Sequence, residues 1–411
     1  MTAEAAPSAS ATPLPASTYA GWVALAAVAL IPPVAYLGNL GFAPLTALAG
    51  LACLPLLMGE RRPSIGIGLL VGLLAWGLAT TAWSPVAPLK PDFRDYDQVE
   101  GLTWLKLILQ TPLYAALAFA ASRAPPRLAR RALVALAVGL AVLVVLLLFE
   151  GMTGALIYQW IQHQLGEPHR PDLARRNVAR ACYPLVLVFW PVALTMWRMR
   201  LGWVNILFGV GLLAAPIMLG VDAPLAALFV SIGVFVLVRQ AGQIGLYACA
   251  AGAAAYFAFA PIVVGALGTV VGHKESWGAR AEIWRVVLDQ IGHHPLRGWG
   301  LDASRVLPEP VSLHPHDVAL QIWFELGVAG AAIAAVFWAW VFWSLAVVEP
   351  RDRGVAAAGA AAASAYLTIG ALSFGAWQEW WLALGALTAA VFALSNVSST
   401  AYLRKRAAYF I

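Results

Sequence analysis

Charge is what this sequence has least of. Only 11% of its 411 residues are Asp, Glu, Lys or Arg, against about 25% in an average soluble domain. So few charges cannot keep a chain that is 61% hydrophobic in water, which excludes both a soluble globule and a disordered protein. Cysteine is scarce too. Cys53, Cys182 and Cys249 lie inside apolar stretches, which excludes a disulfide framework or a zinc pattern and leaves small buried thiols. Residues 1–19 hold no Lys or Arg. A secretory signal starts with basic residues, so this segment reads as a flexible cytoplasmic tail before a retained first span. The net charge of +6 does not point to nucleic acid, because the basic residues are scattered between apolar runs.

What the chain does have is apolar runs near 20 residues long, the length that crosses a bilayer as a helix. They predict an all-α polytopic membrane protein, with 20–411 as a single transmembrane domain. Twelve spans are expected, at 20–37, 42–58, 65–83, 102–122, 132–149, 181–197, 203–219, 225–238, 244–266, 318–346, 355–374 and 381–397. The shortest is expected to extend into its flanks and the longest to tilt or project. Twelve spans put both termini on one side. If that side is cytoplasmic, its short turns and the carboxyl-terminal tail carry 14 of the 26 basic residues, including Arg61, Arg62, Arg198, Arg200, Arg351 and Arg353. Short basic turns are where the positive-inside bias acts. The expected location is therefore a bacterial inner membrane, with periplasmic loops near 150–180 and 267–317 and a solvated acidic connection at 84–101. The run Gly359–Ala365 suits close helix packing through small side chains.

Three outer segments carry the residues that could do chemistry. In the first, Trp284, Val287, Leu288 and Ile291 follow the helical spacing of an amphipathic surface helix that begins at Arg280. Arg280 either snorkels to water or, near unpaired helix N–H groups, meets an anion. Arg285 and Asp289 read as a surface ion pair, and Pro295, Gly298 and Gly300 as a tight turn. The second segment, His314-Pro-His316-Asp317, leads into a span with Asp317, Gln321 and Glu325 at i, i+4, i+8. Ionisable groups at that depth are functional candidates by default, although a helix-capping His-Asp pair explains them without chemistry. His293, His294, His314 and His316 match no standard metal spacing. In the third segment, Arg176 and Arg180 stand at i, i+4, where two guanidiniums repel unless an anion such as phosphate lies between them. Asp222, isolated among apolar residues, reads as a counter-charge to one of these arginines or as a catalytic group.

An outer rim of arginines, a histidine and carboxylates beside lipid suits chemistry on a lipid pyrophosphate. When a sugar anomeric carbon leaves the pyrophosphate, charge develops on the departing oxygen, and fixed arginines stabilise it without a metal. A neutral histidine can take the proton of the attacking hydroxyl. The order Arg280-Ala-Glu-Ile-Trp284, Pro295-Leu-Arg-Gly298-Trp-Gly300, His314-Pro-His316-Asp317 and Leu320-Gln321-Ile-Trp323-Phe-Glu325-Leu-Gly327 resembles the bacterial O-antigen ligase and polymerase superfamily. The motifs fill about 50 residues, and the twelve-span layout extends the likeness less specifically.

The resemblance implies an inverting, cofactor-free and metal-independent transfer of glycan from undecaprenyl pyrophosphate on the periplasmic side. For a ligase, the acceptor is a lipid A–core sugar. It implies His316 as general base and Arg280 as a pyrophosphate ligand; Asp317 and Gln321, on the polar stripe, are expected to bind substrate beside them. Two positions depart from the family pattern. Asp317 stands where Asn is usual, and Val221-Asp222 stands where many members have Ser-Arg. Arg176 or Arg180 is expected to supply that missing charge. Other functions stay open: within the resemblance a polymerase or a protein-directed glycan transferase, and from a different class a transporter. A polysaccharide polymerase of the superfamily would use a second lipid-linked glycan as acceptor. A transporter would need polar or helix-breaking residues near the midplane of paired spans.

Overall fold

The computed structural model describes residues 15–58, 65–86, 102–166, 170–271, 275–308, 310–311 and 313–408. The tail 1–14, the Arg61-Arg62 turn, His169 and the acidic stretch with Asp92, Asp95, Asp97 and Glu100 lie outside these residues. The described chain is helical, with no strand among the described residues. Its elements are α1 (Ala16–Ala29), α2 (Ile31–Leu37), α3 (Phe42–Met58), α4 (Ile65–Thr80), α5 (Thr103–Arg123), α6 (Pro126–Thr153), α7 (Leu156–Gln164) and α8 (Pro171–Ala179). Then come α9 (Cys182–Arg198), α10 (Val204–Leu219), α11 (Ala223–Ala241), α12 (Gln243–Val271), α13 (Glu275–His293), α14 (Val318–Val348), α15 (Arg353–Leu372) and α16 (Glu379–Ala408).

Among the described residues, ten segments are long and apolar enough to cross a membrane, and α4 and α10 are shorter apolar helices. Together these are the twelve expected spans. The span expected at 225–238 does extend, to Ala223–Ala241. The longest one, α14, breaks at Gly327 (φ 64°, ψ −165°). Its 31 residues would measure about 46 Å as one rod, against a hydrocarbon core of about 30 Å.

Buried alanines let the spans approach one another closely. In α15, Ala356, Ala357, Ala360, Ala361 and Ala365 are buried, and a Cβ on Gly359 would lie 2.5 Å from the Phe392 ring. This helix packs against α9, α11, α14 and α16. Without a hydrophobic driving force between helices in lipid, such small-residue contact holds the bundle together. At one end of the bundle, Arg198 forks onto Asp352 at 2.7 and 2.8 Å, and Ser399 bonds both residues. Asp352 also caps α15 through Val355 N–H, 3.1 Å away.

At the opposite end lie α7, α8, α13 and the connections 294–317 and 373–378. There the buried Glu150 accepts hydrogen bonds from the Tyr36 hydroxyl and from the N–H groups of Ile157 (3.2 Å) and Tyr158 (2.8 Å). A carboxylate from α6 thus serves as the cap that the amino terminus of α7 lacks locally.

Candidate functional site

The break in α14 frees carbonyls that lipid cannot satisfy, and the 295–300 turn takes them. Trp299 N–H bonds the Phe324 carbonyl at 2.9 Å, and Gly300 N–H bonds that of Glu325 at 2.8 Å. The Trp76 indole takes the Leu326 carbonyl at 2.9 Å, and Val328 N–H returns to the Pro295 carbonyl at 2.9 Å. Irregular backbone at membrane depth persists only when paired in this way. Close approach explains the glycines. A Cβ on Gly298 (φ +68°) would lie 2.3 Å from the Glu325 oxygen, and one on Gly327 would lie 2.4 Å from that of Leu296. The carbonyls of Phe324, Glu325 and Leu326 thus each take a donor from outside α14.

Around the same break, the fully buried Glu325 collects four donors. They are Ser304 Oγ (2.7 Å), Gln321 Nε2 (2.9 Å), Asp302 N (3.0 Å) and Trp377 Nε1 (2.6 Å). Gln321 Oε1 in turn accepts from Ala376 N–H at 2.8 Å. The expected polar stripe is real, and it ties α14 to the 302–304 turn and to the connection leading into α16.

Asp317 caps α14 by accepting from Leu320 N–H at 2.8 Å, and it also accepts from the Tyr256 hydroxyl at 2.9 Å. Burial, opposed by these bonds, pushes its carboxyl up to about 7. Neither oxygen bonds a histidine ring. Tyr256 sits just before a kink in α12, where Pro261 has no N–H for the Phe257 carbonyl. The Trp323 indole of α14 fills that vacancy at 2.7 Å.

The two histidines just before Asp317 have different surroundings. His316 adopts a left-handed backbone (φ 56°), which costs a non-glycine residue about 1–2 kcal/mol. Its Nδ1 lies 2.9 Å from the Ser373 carbonyl, an acceptor only. Nδ1 therefore carries the hydrogen, and Nε2 keeps its lone pair with no partner among the described residues. Burial lowers the affinity of this ring for a proton, and the Arg280 charge adds to that, while the Ser373 bond works the other way.

His314 is engaged on both nitrogens. His316 N–H donates to its Nδ1 at 3.2 Å, and the Gln378 amide lies 3.0 Å from its Nε2. With Nδ1 accepting, the neutral ring carries its hydrogen on Nε2. It then donates to the Gln378 amide oxygen once that amide is turned over. Burial and the neighbouring His316 push His314 down to about 4. The rings stand 4.4 Å apart, edge to face.

The arginines gather on the His316 side. Helix α13 buries the expected stripe of Trp284, Val287 and Ile291, and the Trp284 indole holds the Pro315 carbonyl at 3.0 Å. That bond docks the surface helix onto the histidine loop. Among the described residues the helix begins at Glu275, so Arg280 occupies its second turn rather than its first residue. Arg280 is half-buried over the Trp277 ring (4.9 Å) and pairs with no carboxylate among the described residues. Its charge reaches both His316 and the Tyr183 hydroxyl. The charge of Arg180 also reaches Tyr183. Arg176 is exposed one turn earlier on α8, and it too lacks an ion pair with a described residue.

Other expectations fail for local reasons. Asp222 is exposed and pairs with neither arginine, and Asp289 faces His293 Nε2 (3.9 Å) instead of Arg285. Among the described residues, no three His, Cys, Asp or Glu side chains are grouped to hold a metal ion.

Sequence reasoning passed over one polar face. Lys106, Gln110 and Tyr114 stand at i, i+4, i+8 on α5. Glu379 at the start of α16 accepts from Lys106 Nζ (2.6 Å) and Gln110 Nε2 (3.1 Å). Beside them, Arg305 pairs with Asp302 at 3.3 Å and reaches Thr103 Oγ1 at 3.4 Å. The signal was a lysine and a glutamine four apart inside an apolar span.

Fold and site together define a multi-pass α-helical membrane protein with, at one end of the bundle, an imidazole and guanidiniums that have no carboxylate partner among the described residues. Residues 185–335 match the O-antigen ligase family, which bears out the resemblance to that superfamily. The matched segment contains Arg280, His316, Asp317, Gln321 and Glu325, whereas Arg176 and Arg180 precede it.

Among curated relatives, a protein of Rickettsia typhi with the provisional name polysaccharide ligase is 30% identical over 127 aligned positions. The match covers 27% of this chain and 31% of the relative. A protein of the same provisional name from Rickettsia conorii is 30% identical over 121 positions, covering 26% and 29%. The chain thus spans less than a third of the length of these relatives.

Proposed function

We propose that the protein is an O-antigen ligase-type glycosyltransferase. It moves a glycan from undecaprenyl pyrophosphate to a hydroxyl of a lipid A–core sugar on the periplasmic face of the bacterial inner membrane. The observation that carries this reading is that His316 Nε2 and the Arg280 guanidinium, whose charge reaches the His316 ring, have no hydrogen-bond or carboxylate partner among the described residues. Nε2 takes the proton of the acceptor hydroxyl while its oxygen bonds the anomeric carbon from the face opposite the leaving group. The anomeric C–O bond breaks, its electron pair stays on the pyrophosphate, and the product glycoside is inverted. Arg280 and Arg180 hold the developing charge, with Arg176 one turn further out for the distal phosphate. No metal is needed for that charge balance. Asp317 and Gln321 act at one remove, because Asp317 is spent on capping α14 and on Tyr256, and Gln321 on Glu325 and the 373–378 connection that also holds His316.

The test supplies purified protein with lipid-linked glycan and lipid A–core. Glycan should appear on the core, and His316→Ala should reduce the rate at least about 100-fold, the usual scale of a lost acid–base group. Elongation of the lipid-linked glycan without transfer to the core would make the protein a polymerase. Solute uptake by reconstituted vesicles without any glycosyl transfer would make it a transporter.

A further inference from the structure

Two polar surfaces meet at the histidine loop, and their charge balance differs. On the His316 side, Arg280 and Arg180 have no carboxylate partner among the described residues and suit a dianion. On the His314 side, each cation is already matched, Lys106 by Glu379 and Arg305 by Asp302. A surface neutralised in this way repays little for taking up a pyrophosphate, yet its oxygens and N–H groups can still bond hydroxyls. We infer that the face formed by Lys106, Gln110, Tyr114, Gln378 and Glu379 is the acceptor subsite, and that it binds an uncharged, hydroxyl-rich sugar ring. This rests on the glycosyltransferase reading and adds to it the place and chemistry of the second substrate.

Three observations carry the inference. First, the face holds polar atoms with no partner: the Tyr114 hydroxyl, Gln110 Oε1 and Gln378 Oε1 are buried and unpaired. Tyr114 is only 6% exposed, and a buried unpaired hydroxyl costs about 1–3 kcal/mol. Ligand hydroxyls would recover that cost. Turning the Gln378 amide over to serve His314 leaves its nitrogen unpaired instead, so one end remains for a ligand either way. Second, Glu379 and Lys106 keep 37% and 26% of their side chains exposed, which leaves lone pairs and N–H groups open to the rim. Third, the indole of Trp377, the residue just before Gln378 and Glu379, is fixed by its bond to Glu325. Hydroxyl-bonding groups set beside a rigid aromatic ring suit a pyranose, with its polar edge and apolar face. The Gln378–His314 contact then joins the subsite to the loop that presents His316.

The test is a crossed kinetic measurement on the full chain in proteoliposomes. Glu379→Gln and Tyr114→Phe keep the side-chain shapes, and Tyr114→Phe removes a single oxygen. Each should raise KM for the lipid A–core acceptor, by about tenfold for Glu379→Gln and about threefold for Tyr114→Phe. Binding of undecaprenyl pyrophosphate alone, read as a thermal shift, should stay unchanged. Arg280→Ala should do the reverse. An unchanged acceptor KM in both variants, in protein with wild-type Tm, would overturn the subsite. So would a loss of undecaprenyl pyrophosphate binding as large as that of Arg280→Ala. If the wild-type protein transfers nothing to the core, the glycosyltransferase reading fails and the subsite falls with it, an outcome seen before any variant is compared.

Discussion

His316 shows how much a single residue owes to its surroundings. Its ring is buried and Arg280 is near, which outweighs the opposing bond to Ser373, so the neutral base form persists below the range where an ordinary histidine titrates. The turnover rate should therefore stay level down to about pH 6.5, the unperturbed histidine value, and fall only below it. Arg280 is one of the causes holding the affinity down, so Arg280→Ala should move that fall to higher pH as well as slowing the reaction. A wild-type fall centred above neutrality would remove His316 as the base. The histidine and Arg280 were legible in the sequence because their neighbours form recognisable motifs. The ring tautomer was not, because it is set by a carbonyl 57 residues away.

At the scale of the element, the break in α14 is the feature on which the site depends. The sequence marked the span and its polar stripe but not the interruption, since a lone glycine in an apolar helix is ordinary in membranes. Gly327 occupies a region of backbone space open essentially to glycine alone, and a Cβ there would meet the Leu296 oxygen. Gly327→Ala should cost about 3 kcal/mol or more. It should appear as a lower Tm and loss of transfer, whereas Gly233→Ala, where a Cβ meets nothing within 4 Å, should be neutral. Equal Tm values for the two variants would show that the turn at 295–300 does not depend on the break. The Arg285–Asp289 pair failed at this scale too: spacing allows the contact, but the rotamers in the structure give Asp289 to His293.

Across the whole molecule, alternation of the spans puts the basic turns at one end and the arginine–histidine rim at the other. The proposed orientation has the rim outside. A membrane-impermeant maleimide should then label Leu296→Cys in spheroplasts, where the native residue is 73% exposed. Arg351→Cys, at the exposed opposite end, should react only after permeabilisation. Both signals should stand above the native thiols, of which Cys53 and Cys182 are buried. The reverse pattern would invert the topology.

The sequence by itself determined the class of protein, the positions of its spans and the residue types at the rim. These follow from local hydropathy and short motifs, which act over a few turns of helix. Only the tertiary structure decided which polar groups are free and which are spent. Glu325, Asp317 and Gln321 are consumed largely by the 302–304 turn, the 373–378 connection and Tyr256, all distant in sequence, while Arg280 has no carboxylate and His316 Nε2 no partner among the described residues. Burial and pairing are properties of neighbours, and in a bundle of twelve spans a residue's neighbours are seldom adjacent in the chain.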